Sequence, residues 1–431
     1  MSVYQEALTW IYGLESRGVK LGLGPMQAAL ALRGNPHDGL RYLHVAGTNG
    51  KGSVCAMAER ALRAAGLRTG WFSSPHLHRY VERVRINGRP LAEAEMARRL
   101  FSLRDDRRLP PLTFFEYTTV AAFEAFRAHA CDVVVLEVGL GGRLDSTNVV
   151  SPAVTVITNI GLDHVHILGD NVRSIAREKA GIIKGRAPLV SGVRDPVAAA
   201  VLTERVRRLG TTSWRLGRDF DLAQTGVSHG TPRYRAKVRD LVIDDLRVGL
   251  AGAHQPDNAA CAAAALVALR GTGVDVPDAA IRTGLAKVRW PGRLEWLPSR
   301  AGQPAYLLDA AHNPDGCRTL AKELARRAHP GRVVLLFGAM VDKEHVPMLA
   351  ALDAVVDKRV YVTPQVARAA RAEKFPKLRP GVAATSVHAG LERATRLAGE
   401  SGLVVVAGSI HLLGEVRAEL LGLRCDPPIA M

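Results

Sequence analysis

The chain has 431 residues, 47% of them hydrophobic and 23% charged. That length suits two domains, each able to bury its own core, and that composition is the one of an ordinary soluble globular protein. The 58 basic residues outnumber the 41 acidic ones for a net charge of +17. The excess is dispersed, mostly arginine, and no basic run is interleaved with aromatics, so a solvated basic surface that attracts anionic substrates is read in preference to a nucleic-acid-binding one.

Five cysteines, Cys55, Cys131, Cys261, Cys317 and Cys425, are scattered without a CxxC pair. They read as reduced thiols, neither a disulfide frame nor a zinc site. The first residues lack a basic stretch followed by an apolar core, and no apolar run is long enough to span a bilayer. The expectation is a cytoplasmic protein without a membrane or nucleic-acid partner.

Residues 1–40 read as helices from Tyr4 to Glu15 and from Gly24 to Leu32, joined by a loop containing Lys20, Leu21, Gly22 and Leu23. Arg41 to Ala46 is a short run with β-branched and aromatic members, which predicts a buried strand. Gly47-Thr48-Asn49-Gly50-Lys51-Gly52-Ser53 follows, and Val54 to Ala65 reads as a helix ending at Gly66. Strand, glycine turn and helix in that order aim backbone N–H groups at one spot beside the positive end of a helix dipole, which suits a polyphosphate. The glycines allow close approach, and Lys51 supplies a mobile positive charge for the β and γ phosphates. The spelling departs from GxxxxGK[ST], because Val45 stands five before Gly50 and Gly52 separates Lys51 from Ser53. A glycine turn capping an ordinary helix is the plainer alternative.

Thr69 to Phe72 predicts a strand ending in Ser73, Ser74, Pro75, His76 and Leu77. Helices are expected over Leu91–Leu103 and Phe114–His129, and buried strands over Asp132–Glu137 and Ala153–Thr158. Strands alternating with helices imply a parallel sheet covered on both faces. Residues 214–252 change character and suggest a small antiparallel meander: Asp219 to Gln224, Pro232 to Val238 and Leu241 to Leu250. A helix from Asp257 to Arg270 follows, and Trp290, Pro291, Gly292 and Arg293 read as an interdomain hinge. From Tyr306 the alternation restarts: strand Tyr306–Asp309, helix Asp315–Ala328, strand Val333–Phe337, helix Val346–Leu352, strand Arg359–Val362, helix Ala389–Leu397, strand Leu403–Ala407 and a last helix from His411. The expected architecture is therefore α/β. A P-loop ATPase-like domain over 1–293 carries the antiparallel insertion, a smaller Rossmann-like domain spans 294–431, and the hinge lies near 290–297.

Three further stretches carry chemistry. Glu137 ends an apolar strand and is followed by Gly139 to Asp145; ligands of open α/β sheets sit beyond the carboxyl ends of strands, so a carboxylate there suits Mg²⁺ shared with phosphate. A solvated strand-end glutamate is the alternative, and a GxGxxG dinucleotide frame fails because Leu144 stands where glycine or alanine belongs. Asp163, His164 and His166 follow the next strand. Two histidines in one strand-end loop favour a metal role over a structural one. Asp309, His312 and Asn313 follow a strand of the second half and could read a ribose and a base, or could simply cap the next helix with Asn313 or Asp315.

Together these stretches resemble one family. Gly47–Ser53, Ser73–Leu77, Leu136–Asn148, Leu162–His164, Glu178–Ile183, Gly252–Asn258, Pro291–Arg293 and Asp309–Pro314 match, in order, the folylpolyglutamate synthase/dihydrofolate synthase branch of the Mur ligases, whose phosphate loop has the extra glycine seen here. Beyond residue 340 the match is looser. The resemblance implies that Gly47, Thr48, Asn49, Gly50, Lys51, Gly52 and Ser53 form the ATP phosphate loop. It implies that Ser74, Glu137 and His164 ligate Mg²⁺ directly or through water, and that Lys179 is carbamylated and serves a second Mg²⁺. Asn258, Arg293, Asp309 and His312 would contact ATP, with Lys51, Lys179 and His312 as the catalytic set. The pterin substrate would touch Lys20, Leu21, Gly22, Leu23, Thr113, Phe114, Phe115, Glu116, Leu144, Asp145 and Ser146.

The reaction so implied is an ATP- and Mg²⁺-dependent amide ligation by a monomer. A carboxylate of dihydropteroate or of a folate is phosphorylated to an acyl phosphate, and the amine of L-glutamate displaces phosphate. Closure about Arg293 would keep water from the acyl phosphate. Extension of folates alone, without ligation of dihydropteroate, is the nearest alternative. A ligase of UDP-sugar peptidoglycan precursors would need a further N-terminal domain. A nucleic-acid-dependent P-loop ATPase would need DNA- or RNA-stimulated turnover.

Overall fold

The computed structural model describes residues 2–14, 22–300, 302–327 and 329–427. The chain divides into two compact units: Met1–His76, Tyr80–Gly249 and Gln255–Arg289 in the first, and Leu77–Arg79, Leu250–His254 and Trp290–Met431 in the second.

The first unit is built on an eight-stranded sheet in the order β4-β3-β2-β5-β1-β6-β7-β8. Its strands are β1 Arg41–Ala46, β2 Thr69–Phe72, β3 Val84–Ile86, β4 Arg89–Pro90, β5 Val133–Glu137, β6 Val154–Ile157, β7 Leu189–Ser191 and β8 Ser213–Arg215. All neighbours run parallel except the edge pairs β2–β3 and β3–β4. Every residue of β2, β5, β6 and β7 is buried, as is expected of strands covered on both faces. In register, Phe72 lies beside Leu136, Val45 beside Glu137 and Ala46 beside Ile157. Four adjacent strands therefore end nearly level, and the segments that leave them share one edge.

The helix Lys51–Ala64 begins three residues before the expected Val54. Gly52 and Ser53 thus belong to its first turn, where N–H groups have no intrahelical acceptor. This helix is held by Asp278–Ala286, which places Gly284 so close to Ala61 that a Cβ there would sit 2.4 Å from the alanine Cβ. It is also held by Gln255–Arg270, buried nearly all round by its run of alanines. The insertion forms a three-stranded antiparallel sheet, β9 Phe220–Ser228, β10 Thr231–Val238 and β11 Leu241–Leu246 in the order β11-β10-β9.

The second unit contains a six-stranded sheet, β12-β13-β17-β14-β15-β16. The strands are β12 Glu295–Leu297, β13 Ala305–Leu308, β14 Val333–Phe337, β15 Lys358–Tyr361, β16 Val382–Ala383 and β17 Leu403–Ala407. Only β12 is antiparallel to its neighbour. Period-two alternation sorts its residues into two cores: Leu307, Leu335, Phe337 and Val405 on one face, Leu308, Val334, Leu336 and Val406 on the other. Leu77–Arg79 joins this unit through the hydrogen bond from Asp426 N to His78 O (3.0 Å) and the packing of Gly414 on Leu77. Residues 250–254 join it where Gly252 meets Leu294 and where Ala251 packs on the core. No single boundary in sequence captures those two short crossings.

Candidate active site

The phosphate loop leaves β1 and enters the helix Lys51–Ala64 through Gly50, whose φ of +85° is left-handed and costs least for glycine. Space forbids a side chain there as well: a Cβ would lie 2.5 Å from Asn258 Oδ1. The loop is fastened to the segment after β6. Thr48 N donates to Asn159 O (3.1 Å), Asn49 N to Asn159 Oδ1 (2.7 Å), and Thr158 Oγ1 to Asn49 O (2.6 Å). The Thr48 hydroxyl donates to Gly161 O and accepts from Gly161 N, both at 3.0 Å. Thr48 and Asn49 thus spend these groups on loop shape. Asn258 Nδ2 donates to Gln255 Oε1 (3.0 Å), and Gln255 Nε2 to Ser53 Oγ (3.4 Å). Gln255, fully buried, is a supporter of the loop that sequence reasoning passed over.

Two lysines converge on the carbonyl of Gly47. Lys51 Nζ donates to Gly47 O (3.0 Å) and to Thr48 O (3.2 Å); Lys179 Nζ, from the helix Val172–Ala180, donates to the same Gly47 O (3.1 Å). Two ammonium groups cannot share one carbonyl without repulsion. Lys179 is only 4% exposed, and burial, with Lys51 adding to it, pulls its amine down to about 7. Lys179 is thus a buried amine whose charged form burial disfavours.

The expected metal ligands lie along the same strand edge. Ser74 follows β2, Glu137 ends β5 at 5% exposure, and His164 lies in the segment after β6. His164 has φ +51° and its ring stands 3.9 Å from the Asp163 carboxylate. Because the sheet order places β5 between β2 and β1, Ser74, Glu137 and the phosphate loop come from neighbouring strands although their chain order differs. Carboxylate, hydroxyl and imidazole are donors that suit Mg²⁺ bound directly or through water.

The residues expected to meet the pterin divide in two. Thr113 and Glu116 form a buried capping box for the helix Phe114–Ala128: Thr113 N and Oγ1 both donate to Glu116 Oε2 (2.8 Å), and Glu116 N returns to Thr113 Oγ1 (3.3 Å). The spelling Thr-Phe-Phe-Glu carried that cap in the sequence. Phe114 packs among Tyr12 and Tyr80 with the Arg83 guanidinium 5.0 Å over its ring, and Phe115 presses on Gly139. Asp145 accepts from Leu140 N (2.8 Å), Thr147 N (3.0 Å) and Thr147 Oγ1 (2.5 Å), so its carboxylate organises the Gly139–Ser146 loop. Burial pushes its carboxyl above the usual aspartate value and makes it a weaker acid, and those hydrogen bonds oppose the rise. Gly22 and Leu23 precede the helix Gly24–Leu32, Leu144 and Ser146 flank Asp145, and Lys20 and Leu21 lie outside the described residues.

In the second unit, Asp309 accepts from Leu294 N (2.8 Å) and Ala311 N (3.0 Å), with burial pushing its carboxyl up and Arg293 pulling it down. His312 Nδ1 donates to Ala310 O (2.8 Å), which fixes the orientation of the ring. Asn313 caps the helix Pro314–Arg326 by accepting from Gly316 N (2.8 Å). Asn313 is therefore the cap, while Asp309 and His312 stand beyond the carboxyl end of β13.

A glycine loop at a helix start with a lysine on it defines a phosphate-binding P-loop protein with a second Rossmann-like unit, and comparison with known proteins gives the class as ATP-dependent ligase. The Mur ligase middle domain matches residues 45–266, and the Mur ligase glutamate ligase domain matches residues 292–410. The dihydrofolate synthase/folylpolyglutamate synthase of Bacillus subtilis is 37% identical over 362 residues, 82% of this chain and 84% of the relative. Among solved structures, Escherichia coli FolC in complex with DHPP and ADP is 34% identical, with a TM-score of 0.86 over 96% of this chain and 97% of that one. The bifunctional enzyme from Yersinia pestis complexed with AMPPNP and Mn ion is also 34% identical, with a TM-score of 0.84 over 96% and 98%. This chain belongs to the dihydrofolate synthase/folylpolyglutamate synthase family of Mur-type ATP-dependent ligases. No helix among the described residues is long and apolar enough to cross a membrane.

Proposed function

We propose that this chain joins the amine of L-glutamate to the carboxylate of dihydropteroate and to the γ-carboxylate of tetrahydrofolates, hydrolysing ATP to ADP through an acyl phosphate. The observation that carries this reading is the meeting of Lys51 and Lys179 at Gly47, at the mouth of a glycine loop whose neighbouring strand ends in Glu137. The N–H groups of Gly52 and Ser53 and the ammonium of Lys51 receive the phosphates of ATP and oppose the charge that develops on the transferred phosphoryl group. Ser74, Glu137 and His164 hold one Mg²⁺, and Lys179, once carbamylated, provides a carboxylate-like ligand for a second. When bound, the metal supplies charge neutralisation at the phosphates.

Asn258, Arg293, Asp309 and His312 are the proposed contacts to the rest of ATP. Gly22, Leu23, Phe114, Phe115, Leu144 and Ser146 line the pterin subsite, with Lys20 and Leu21 in the preceding loop. Thr113, Glu116 and Asp145 complete that subsite, and the support for this role is that their hydrogen bonds organise the helix start and the Gly139–Ser146 loop. The partners are small molecules only, and the enzyme works as a cytoplasmic monomer.

An isotope experiment tests the chemistry. With ¹⁸O in the substrate carboxylate, a turnover through an acyl phosphate delivers one labelled oxygen to inorganic phosphate for each amide formed. Amide product accompanied by unlabelled phosphate would contradict the proposal.

A further inference from the structure

In β1, Tyr42, Leu43, Val45 and Ala46 are buried aromatic or aliphatic residues, yet His44 between them is an imidazole with no exposure at all. Its Nε2 lies 3.0 Å from Thr147 Oγ1, and its Nδ1 is buried without a hydrogen-bond partner among the described residues. The proton count fixes the direction of the contact. Thr147 has one hydroxyl proton, which the 2.5 Å separation commits to the Asp145 carboxylate. Toward His44 the hydroxyl must accept, so Nε2 carries a proton; Nδ1, buried without an acceptor among the described residues, does not, because burial pulls the imidazole down to about 3 and keeps it neutral. An aliphatic residue would fill the strand without leaving Nδ1 unpaired, so the donor on Nε2 is what the position gains.

We infer that His44 is a positioning residue for the pterin loop: through Thr147 it holds Asp145 in the orientation that shapes Gly139–Ser146. The relay starts three residues before Gly47, so one strand carries both the phosphate loop and the support of the opposite loop. The loop is tied on its far side too, where Arg143 N donates to Glu178 O (2.8 Å) and Asn148 Nδ2 to Arg143 O (2.9 Å). The inference rests on the reading that this loop seats the pterin.

Its consequence separates the two substrates. In dihydropteroate the reacting carboxyl is bonded directly to a rigid aryl group, so any displacement of the seated ring moves the reacting carbon. In a tetrahydrofolate the γ-carboxylate stands at the end of a flexible glutamate, which absorbs the same displacement. Displacements of about 1 Å cost on the order of a hundredfold in rate when they reach the reacting atoms.

Five variants and one spectrum test this. Thr147→Val and His44→Leu are expected to lower kcat/KM for dihydropteroate by about ten- to a hundredfold more than for tetrahydrofolate, mostly in kcat. Thr147→Ser and His44→Gln, which keep a hydroxyl and a donor near Nε2, should restore the wild-type ratio. Asp145→Asn distinguishes the two levels of the argument. No loss on either substrate would refute the reading of the loop as the pterin seat, and equal loss on both would refute its selectivity for dihydropteroate. Selective loss in Asp145→Asn with an unchanged ratio in Thr147→Val and His44→Leu would overturn the relay alone. If the apolar variants do not fold, ¹⁵N-histidine spectra of the wild type decide. The signal absent from His44→Gln must show the neutral Nε2–H form without titration from pH 5 to 8, and an Nδ1–H form or a titrating ring would overturn the relay.

Discussion

At the scale of single residues, the account turns on two lysines with different jobs at one carbonyl oxygen. Lys51 is the proposed partner of the phosphates, and its ammonium bonds the loop carbonyls of Gly47 and Thr48, so Lys51→Ala should fold normally while losing at least about two orders of magnitude in turnover. Activity within a few-fold of wild type in the folded variant would remove the phosphate-loop assignment. Lys179 is the buried partner, with its amine drawn down to about 7. Combination with CO₂ requires the unprotonated amine, so the modified fraction grows as pH rises through about 7 and shrinks as pH falls below it. Stripping CO₂ at pH 6.5–7 is expected to depress ADP release and bicarbonate to restore it, and Lys179→Ala should be partly rescued by acetate. Indifference to CO₂ together with no rescue would refute the carbamate. The sequence showed Lys51 because its neighbours on the chain are its neighbours in space. Lys179 lies far along the chain from Gly47, and nothing in Glu178-Lys179-Ala180 reveals burial; only the family resemblance pointed there.

At the scale of elements, strand, loop and helix were legible because each is local. The spans of β1, β2, β14 and β17 were read to the residue, since apolar runs bounded by glycine or turn residues mark buried strands. The start of the phosphate-loop helix was read three residues late, because Gly52 and Ser53 have poor helix propensity and tertiary packing on Gln255–Arg270 and Asp278–Ala286 overrides it. The hairpin β3–β4 went unread, being short, polar and at an edge. Thr113 and Glu116, expected as substrate contacts, also form the capping box that the spelling Thr-Phe-Phe-Glu signifies. Gly50 tests the element directly. Gly50→Ala meets both a left-handed φ and Asn258, so it should cost about 1–2 kcal/mol or more of stability and most of the activity. Gly210→Ala, with φ +62° and nothing within 4 Å of the added Cβ, should show the backbone cost alone with activity retained. Thermal unfolding paired with ADP release distinguishes them, and equal activity in the two variants would mean the loop tolerates displacement.

At the scale of the whole molecule, two α/β units were legible from the restart of strand–helix alternation after residue 305, and the antiparallel insertion from the break in hydrophobic pattern over 214–252. Sheet order was not legible: no local pattern says that β5 lies between β2 and β1, and that order is what makes the strand before Ser74 a neighbour of the strand that ends in Glu137. Nor do composition and spacing choose between ligating dihydropteroate and only extending folates, because both use the same phosphate chemistry. The measurement that tests the central claim most directly is ADP release by the purified chain with ATP and Mg²⁺, given dihydropteroate or tetrahydrofolate, each with and without L-glutamate. The account predicts sustained release with either pterin substrate only when glutamate is present. Release with tetrahydrofolate but none with dihydropteroate would contradict the dual activity, and release indifferent to glutamate would contradict the ligase itself.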